Sequence, residues 1–296
     1  MLNSFPSVLA VIINWNGRDG LLLECLDSIT GIDYPGDRYK VMVIDNASSD
    51  GSQEAISLRY PDIILVENKE NAGYVKAVNQ GVEYGLKSGA DYIWVLNNDV
   101  VVQQDVLNRL VEAGEKDEEI GVIAPVIYYY DRAEEIDDIG YRINFWTGRL
   151  EKLKLGRTIF TDSKDEIADV DSILGCANLI KADVFRRIGY FKTIYKLYFE
   201  ETDFNVRAKR GGFRVVVVRG AKVLHKEATT MNRFIFKRAW LLLRNLFVFE
   251  LLNARLMHLV IFIPYYFFIH LPYFIVRGTF YGLNVKLAGI DKMEGR

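Results

Sequence analysis

Val8-Leu-Ala-Val-Ile-Ile-Asn14-Trp-Asn-Gly17 places an apolar run directly before a polar, glycine-ended stretch, and the same design recurs three times further along the chain. Residues 41–44 run into Asp45-Asn46-Ala47-Ser48, residues 63–66 into Glu67-Asn68 and then Asn71-Ala72-Gly73, and residues 92–96 into Asn97-Asn98-Asp99. Apolar runs of this length between polar loops read as buried parallel strands. Between them residues 20–29, 51–59 and 73–87 have helical spacing, and Ser48, Ser49 or Asp50 offers an N-cap for the second helix. Strands alternating with helices predict an α/β chain: a Rossmann-like, doubly wound, mostly parallel sheet flanked by helices. Such sheets bind ligands beyond the carboxyl ends of their strands, which makes these polar strand ends the lining of one crevice.

Further along, residues 131–169 are charged and weakly periodic, punctuated by Gly140, Gly148 and Gly156, and read as loops and irregular strands over the crevice. Regular structure resumes at residues 172–180, with helices near Ala182–Ile188 and Glu200–Arg210, a strand at 213–218, and His225 after a last short apolar step. Composition shifts near residues 230–234 to Phe, Leu, Tyr and Ile with scattered Arg. The expected organisation is therefore a crevice-bearing domain over 1–232 and a hydrophobic helical tail over 233–296.

With 296 residues the chain can bury a core without staples. Its two cysteines, Cys25 and Cys176, lie far apart and outside any metal-ligand spacing, which fits a reducing, cytoplasmic face. No signal peptide is expected, because the residues before Val8 lack a charged segment and the run 8–13 is too short. The net charge of −2 hides an asymmetry: residues 231–296 carry nine Lys and Arg against three Asp and Glu, a balance of +6, while the rest carries 28 against 36, or −8. A basic, aromatic tail on an acidic body argues against nucleic acid and for anionic lipid headgroups. Residues 259–276 include no Lys, Arg, Asp or Glu, close to the roughly 20 residues of a spanning helix. Pro264, Pro272 and His270 interrupt the stretch, Arg255 and Arg277 flank it, and Phe and Tyr recur in it. This composition favours helices lying in the interface on the cytoplasmic side of the cell membrane, with a single span or a soluble homodimer surface as alternatives.

The chemistry of the crevice can be narrowed by spacing. No G-x-G-x-x-G follows the opening strand, and the Gly81–Lys87 segment misses the P-loop spacing by one residue, which disfavours dehydrogenases and kinases. An Asn- and Asp-rich crevice suits a base, a ribose and a hard cation. Asp99 could hold Mg²⁺ or Mn²⁺ beside a departing diphosphate, or cap a following helix at Gln103 or Gln104. Glu200-Glu201-Thr202-Asp203 could serve as dipole partners of a helix start, or, by mutual repulsion, supply a general base. His225, the one histidine outside the apolar tail, could ligate a metal, bond a diphosphate, or simply pack.

Taken together these segments resemble glycosyltransferase family 2, in the GT-A group and its rhamnosyltransferase-like branch, over most of residues 8–230. Val11-Ile-Ile-Asn14-Trp-Asn16-Gly17 resembles the opening strand motif and Val43-Ile-Asp45-Asn46-Ala-Ser48-Ser-Asp50-Gly-Ser52 the second. Asn71-Ala72-Gly73-Tyr74 through Asn79 is similar to the third, and Leu96-Asn97-Asn98-Asp99 to the D-x-D metal motif with Asn in its first place. Gly175-Cys176-Ala177-Asn-Leu-Ile-Lys181 resembles the acceptor-side segment, and Tyr198-Phe-Glu200-Glu201-Thr-Asp203 through Arg207 the E-D-x-D helix, with Glu201 where the family has its catalytic Asp.

The resemblance implies an inverting, metal-assisted transfer from a UDP- or dTDP-sugar to a hydroxyl. Its site would be Glu201, or Glu200, as base; Asn14, Asn16, Asp45, Asn71, Gly73, Asn97 and Asn98 around the donor; Asp99 and His225 on the metal or diphosphate; and Gly175, Cys176, Ala177 and Arg207 toward the acceptor. A membrane-side location further suggests a lipid-linked glycan as acceptor. Two other readings share the sheet: a non-catalytic sugar-nucleotide-binding scaffold, motivated by Glu at 201, and a nucleotidyltransferase, which would need a phosphate-gripping loop that Arg18 alone hardly supplies.

Overall fold

The computed structural model describes residues 5–18, 22–157, 159–160, 166–226, 235–274 and 276. The expected helix start at Gly20, the boundary near 232 and the tail beyond Val276, with Arg277, lie outside the described residues. Contacts divide the chain into two units, one of Met1–Arg142 with Glu151–Glu227 and one of Ile143–Leu150 with Ala228–Arg296.

In the first unit the alternation read from the sequence is observed. Strand β1 (Val8–Asn14) leads to α1 (Leu22–Thr30), β2 (Tyr39–Asp45), α2 (Ser52–Arg59), β3 (Ile64–Glu67), α3 (Tyr74–Lys87) and β4 (Tyr92–Asn97). Then come β5 (Val100–Val102), α4 (Val106–Glu115), β6 (Ile120–Tyr129) and β7 (Ile136–Asp138). The hairpin β8 (Tyr141–Asn144) and β9 (Arg149–Lys152) precedes β10 (Ile167–Asp169), β11 (Ala177–Lys181), α5 (Ala182–Ile188), α6 (Glu200–Arg210) and β12 (Arg214–His225). The main sheet runs β10-β12-β6-β11-β4-β1-β2-β3, parallel from β4 through β3 and between β6 and β12, with β11 antiparallel to both its neighbours.

Successive residues of β1 serve opposite cores. Val8, Ala10 and Ile12 face the cluster built with α1 and α4, whereas Leu9, Val11 and Ile13 face the one built with α3, α5 and α6. Being buried on both sides is why these strands read as unbroken apolar runs. The α3 glycines have a packing reason: a Cβ on Gly81 would sit 2.3 Å from Val11 Cγ1, and one on Gly85 2.2 Å from Ile93 Cδ1. They let the helix backbone settle on the sheet, and need no phosphate loop to explain them.

Three expectations are corrected. Helix α2 takes Gly51, at φ 77°, as its N-cap without a side-chain cap bond; Asp50 instead accepts from the Ser52 N–H at 3.1 Å. Helix α4 begins at Val106, beyond strand β5, so Asp99 caps nothing at Gln103 or Gln104. Within residues 131–169, β7 adds to the main sheet while the turn 143–150 groups with the second unit rather than with the crevice.

Register sets the site. Asn14 lies opposite Asp45, Asp45 opposite Glu67, and Ile13 opposite Asn97, so the parallel strands end level with one another. Between β6 and β12 the register slips where Val218 faces Pro125 and Lys222 faces Val126, which loops out residues 219–221. Pro125 has no N–H to give the ladder, and a bulge is where a strand tolerates that. Past the bulge β12 pairs with β5, placing His225 opposite Val100 and its neighbour Lys226 N–H on Asp99 O at 3.1 Å.

The second unit contains α7 (Ile235–Asn253) and α8 (Leu256–Tyr265), the latter running on through a π-turn at Tyr266–His270. Phe145 and Trp146 of the turn 143–150 pack on Phe249 and His258, and Phe262 and Tyr266 fill the interior against Leu246 and Phe247.

Candidate active site

The ends of β1, β2 and β4 are knitted by side-chain amides and carboxylates. Asp45 is fully buried; its Oδ2 accepts from Asn14 Nδ2 at 2.8 Å, and its Oδ1 from Gln53 Nε2 and the Ser48 N–H, each at 2.8 Å. Asn98 Nδ2 donates to Asn14 Oδ1 at 2.8 Å, which joins β4 to β1 at the point where the strand order reverses. Here the absent side chain of Gly17 makes room for the pair, since a Cβ on it would lie 2.4 Å from both Asn14 Oδ1 and Asn98 Nδ2 and force the amides apart. Asn16, at φ 52°, donates its N–H to Ser48 Oγ and accepts from the Ser49 N–H, both at 2.8 Å. Asn46 binds the next loop, donating to Asn71 Oδ1 at 2.9 Å and accepting from Ala72 N–H at 3.0 Å. Gly73 follows at φ 86°, ψ 155°, a backbone only glycine adopts readily, with open space above it. Arg18 is tied to Asp50, its N–H on Oδ2 at 2.8 Å and its guanidinium on the carbonyl at 3.2 Å.

The neighbouring region is built differently. His225 sits between two carboxylates, its Nε2 3.5 Å from Asp99 Oδ1 and its Nδ1 3.8 Å from Asp137 Oδ2. Burial favours the neutral ring, but the flanking Asp137 and Asp99 outweigh it and push His225 up to about 9. Asp137 is held by Lys152 at 3.2 Å and lies below the usual carboxylate range because of His225, against the opposing effect of burial. Asp99 Oδ1 and His225 Nδ1 are both buried without a hydrogen bond. An orphaned carboxylate oxygen facing an imidazole suits a divalent cation that displaces the ring proton and completes its shell with ligand and water. Among the described residues no cluster of three metal-ligating side chains occurs, so protein ligands alone do not enclose an ion.

Glu200 and Glu201 open α6. The residues before them, Lys196, Tyr198 and Phe199, have φ of 63°, 67° and 70°, and a non-glycine residue held there costs about 1–3 kcal/mol. That strained approach turns both acids inward, where Glu200 Oε2 and Glu201 Oε2 are buried without hydrogen-bond partners. Burial pushes Glu201 up to about 7, with the charge of Asp138 adding to it, and holds Glu200 well above the carboxylate range, helped by Glu201. Burial, more than the mutual repulsion read from the sequence, thus raises their proton affinity. Glu201 lies along Gly175, where a Cβ would meet the glutamate side chain at 3.5–3.7 Å, ordinary van der Waals contact. A small cavity beside them is lined by Tyr74, Val75, Val78, Val95, Gly175, Asn178, Phe191, Glu200 and Glu201.

The acceptor-side candidates separate. Cys176 and Ala177 are buried in the ladder, Cys176 O accepting from Asn97 N–H at 3.0 Å and Ala177 facing Leu96. Arg207 is committed to structure: Nε donates to Asp203 Oδ2 at 2.7 Å, and its other nitrogens to the carbonyls of Ile188 and Tyr190, each at 2.9 Å. Asp203 also takes Lys192 and Tyr195, each at 3.0 Å, so this third acid pins the loop before α6.

Several residues were not singled out from the sequence. Tyr74, whose hydroxyl lies 3.1 Å from Asn97 Oδ1 and 3.3 Å from Gly175 O, ties three segments of the site together. Asp137 and Asp138 arrive on β7, and burial raises Asp138, whose Oδ2 is also unpartnered. Their one trace in the sequence is an adjacent acid pair inside a weakly periodic stretch.

A model of glycosyl transferase family 2 matches residues 10–174. The N-acetylglucosaminyl-diphospho-decaprenol L-rhamnosyltransferase of Mycobacterium tuberculosis is 26% identical over 209 residues, 65% of this chain and 68% of that protein. The low-salt glycan biosynthesis hexosyltransferase Agl10 of Haloferax volcanii is 24% identical over 230 residues, 76% of this chain and 68% of its own length. Among solved structures, the mannosyltransferase PcManGT from Pyrobaculum calidifontis, in complex with GDP-Man and Mn²⁺, superposes with a TM-score of 0.61 at 19% identity. That match covers 86% of this chain and 66% of the other, and the shared fold is the GT-A arrangement that the family resemblance implied.

Proposed function

The chain belongs to glycosyl transferase family 2 and is a glycosyltransferase, and from that premise we propose that it moves a sugar with inversion from a UDP- or dTDP-sugar to a hydroxyl of a lipid-linked glycan at the cytoplasmic side of the cell membrane. The observation that carries this reading is the pairing, on adjoining segments, of an orphaned carboxylate beside an imidazole, Asp99 and His225, with a buried carboxylate poised near neutral, Glu201.

In this reading the amide and carboxylate net of Asn14, Asn16, Asp45, Asn71, Asn97 and Asn98, with the open backbone at Gly73, receives the nucleoside and diphosphate. Level strand ends and saturated hydrogen bonds favour a pocket formed before the donor arrives. Asp99 and His225 would hold a Mg²⁺ or Mn²⁺ ion, which supplies positive charge to the departing diphosphate. Glu201 takes the proton from the acceptor hydroxyl as its oxygen bonds to the anomeric carbon and the bond to the leaving phosphate breaks on the opposite face. A base near neutrality is well matched to that task. Strain at Tyr198 and Phe199 fixes the direction of Glu201, and Tyr74 keeps the 175–177 segment against β4. A decaprenol-linked acceptor in the name of one relative, and the basic, apolar second unit, support the choice of acceptor and place.

The test is release of nucleotide from a panel of UDP-, dTDP- and GDP-sugars, with Mn²⁺ or Mg²⁺ against EDTA, for the native chain, Asp99→Ala and Glu201→Gln. Metal-dependent release of one nucleotide, lost in both variants while circular dichroism is unchanged, is the expected result. Turnover retained in both variants would sink the assignment, and tight donor binding without turnover would favour a scaffold.

A further inference from the structure

Helix α8 and its continuation form one apolar helix over Leu256–Phe274, 19 residues without Lys, Arg, Asp or Glu and long enough by length and composition to cross a membrane. Its two faces differ. His258, Phe262, Tyr266 and His270, spaced by four, make a stripe turned into the unit. Phe262 and Tyr266 are buried, His258 meets the Trp146 ring at 4.6 Å, the Tyr266 hydroxyl donates to Leu243 O at 3.3 Å, and a ring nitrogen of His270 lies 2.7 Å from Thr147 O. On the opposite flank Leu256, Met257, Val260, Ile261, Phe267 and Phe268 are 50–81% exposed.

The packed stripe decides how such a helix can meet lipid. The turn 143–150 accompanies it from His258 to His270, about 18 Å of helix at 1.5 Å per residue. The tip of this hairpin, residues 145–148, is irregular backbone with its polar groups turned on one another: the Thr147 and Gly148 N–H groups donate to Asn144 O and the Trp146 N–H to Asn144 Oδ1, while exposed Arg149 lies over the Tyr265 ring. If the helix crossed a bilayer, that turn and its arginine would stand beside it near mid-depth, where irregular backbone is not tolerated against lipid and a cation is costly. Turned to water along its whole length, the same turn costs nothing, and the exposed flank then faces lipid. Exposed Arg255 and the +6 balance of residues 231–296 complement anionic headgroups.

We propose that Leu256–Phe274 lies parallel to an anionic bilayer surface, with Leu256, Met257, Val260, Ile261, Phe267 and Phe268 inserted and the turn 143–150 on its water side. This rests on the membrane placement in the proposed function, and not on its chemistry.

The test uses the full chain with single nitroxide labels through Met257→Cys, Val260→Cys, Phe268→Cys and Arg149→Cys, on vesicles of phosphatidylcholine alone or with phosphatidylglycerol. Oxygen and a water-soluble nickel chelate report depth. The expected result is tighter binding to the phosphatidylglycerol vesicles, weakened by salt, with similar shallow burial at 257, 260 and 268 and free access at 149. The double variant Val260→Asp, Phe268→Asp should lose at least roughly tenfold in vesicle affinity while nucleotide release in detergent is unchanged. Depth that deepens continuously from 257 towards 268 would overturn the interfacial placement and leave the membrane reading standing. Failure to bind either vesicle, with the labels instead reporting a second copy on the flank, would overturn both, while nucleotide release tests the chemistry on its own.

Discussion

The donor side and the reactive side of the crevice stand on neighbouring strand ends, yet they treat buried polar atoms in opposite ways. Around Asp45 every carboxylate oxygen has its donor, and the Asn14–Asn98 bond closes the net. Around Asp99, Asp138, Glu200, Glu201 and His225 a buried oxygen or nitrogen of each side chain goes unpaired. Folding rarely tolerates such orphans, so their concentration in one place marks where ligand atoms complete the bonding. The satisfied side stabilises the fold, and the unsatisfied side is set against it.

That contrast predicts opposite mutant signatures. Glu201→Gln should lower transfer by about 100- to 10,000-fold without lowering the melting temperature, because it removes a buried charge while the amide oxygen can still accept the backbone N–H groups of residues 201 and 202. Asp45→Ala should do the reverse first. It leaves Asn14, Gln53 and the Ser48 N–H without their acceptor, at on the order of 1–3 kcal/mol for each buried donor, read as a lower midpoint in urea. A Glu201→Gln variant that unfolds, or an Asp45→Ala variant as stable as the parent, would break the comparison.

The pH dependence sharpens it. In the proposed mechanism Glu201 works deprotonated, so kcat/KM should climb by up to about tenfold per pH unit below the folded-state value of about 7 and level above it. Stability should move the other way. In the folded state Glu201 is raised from its ordinary 4.5, so the native protein holds a proton that the unfolded chain has released. Its contribution is complete below 4.5 and is lost as pH rises through about 7. Urea midpoints from pH 5 to 8 should fall less steeply in Glu201→Gln. The smallest effect is expected from Asp137→Asn, which should draw the His225 titration, followed by imidazole NMR, down from about 9 while altering the urea midpoint little.

The sequence made one side of the crevice far easier to read than the other. Parallel strands buried on both faces write themselves as apolar runs, and Asn14, Asp45 and Asn97 follow directly on them, so the donor side could be found by locating where hydrophobicity stops. Helix α6 was legible for a similar local reason: Glu200 to Arg210 begins in acids and ends in bases. Asp137 and Asp138 were not legible, because strand pairing across β6 and β12 brings Asp137 to His225, and with it Asp138 to the site, and no spacing along the chain records that. Strand β6 was hidden by Pro125, which ordinarily argues against an inner strand. Arg207 shows the opposite failure. Its motif suggested the acceptor side, whereas its guanidinium is held by Asp203 and two loop carbonyls. The turn 143–150 looked like crevice covering because its one glycine and one arginine, within a charged and weakly periodic stretch, do not record which unit it joins.

The slip at residues 219–221 carries a consequence for how such a protein can diverge. Val215 to Val218 hold their partners in the sheet interior on one side of it, and His225 takes its place from β5 on the other. Length changes inside the slip would therefore slide the histidine relative to Asp99 while leaving Val215 to Val218 in place, with buried Ala221 and Val223 shifting along with it. The bulge works as an adjustment screw between scaffold and site, and it identifies 219–221 as the place where a designer, or drift, could retune the surroundings of Asp99 by inserting or deleting residues instead of exchanging them.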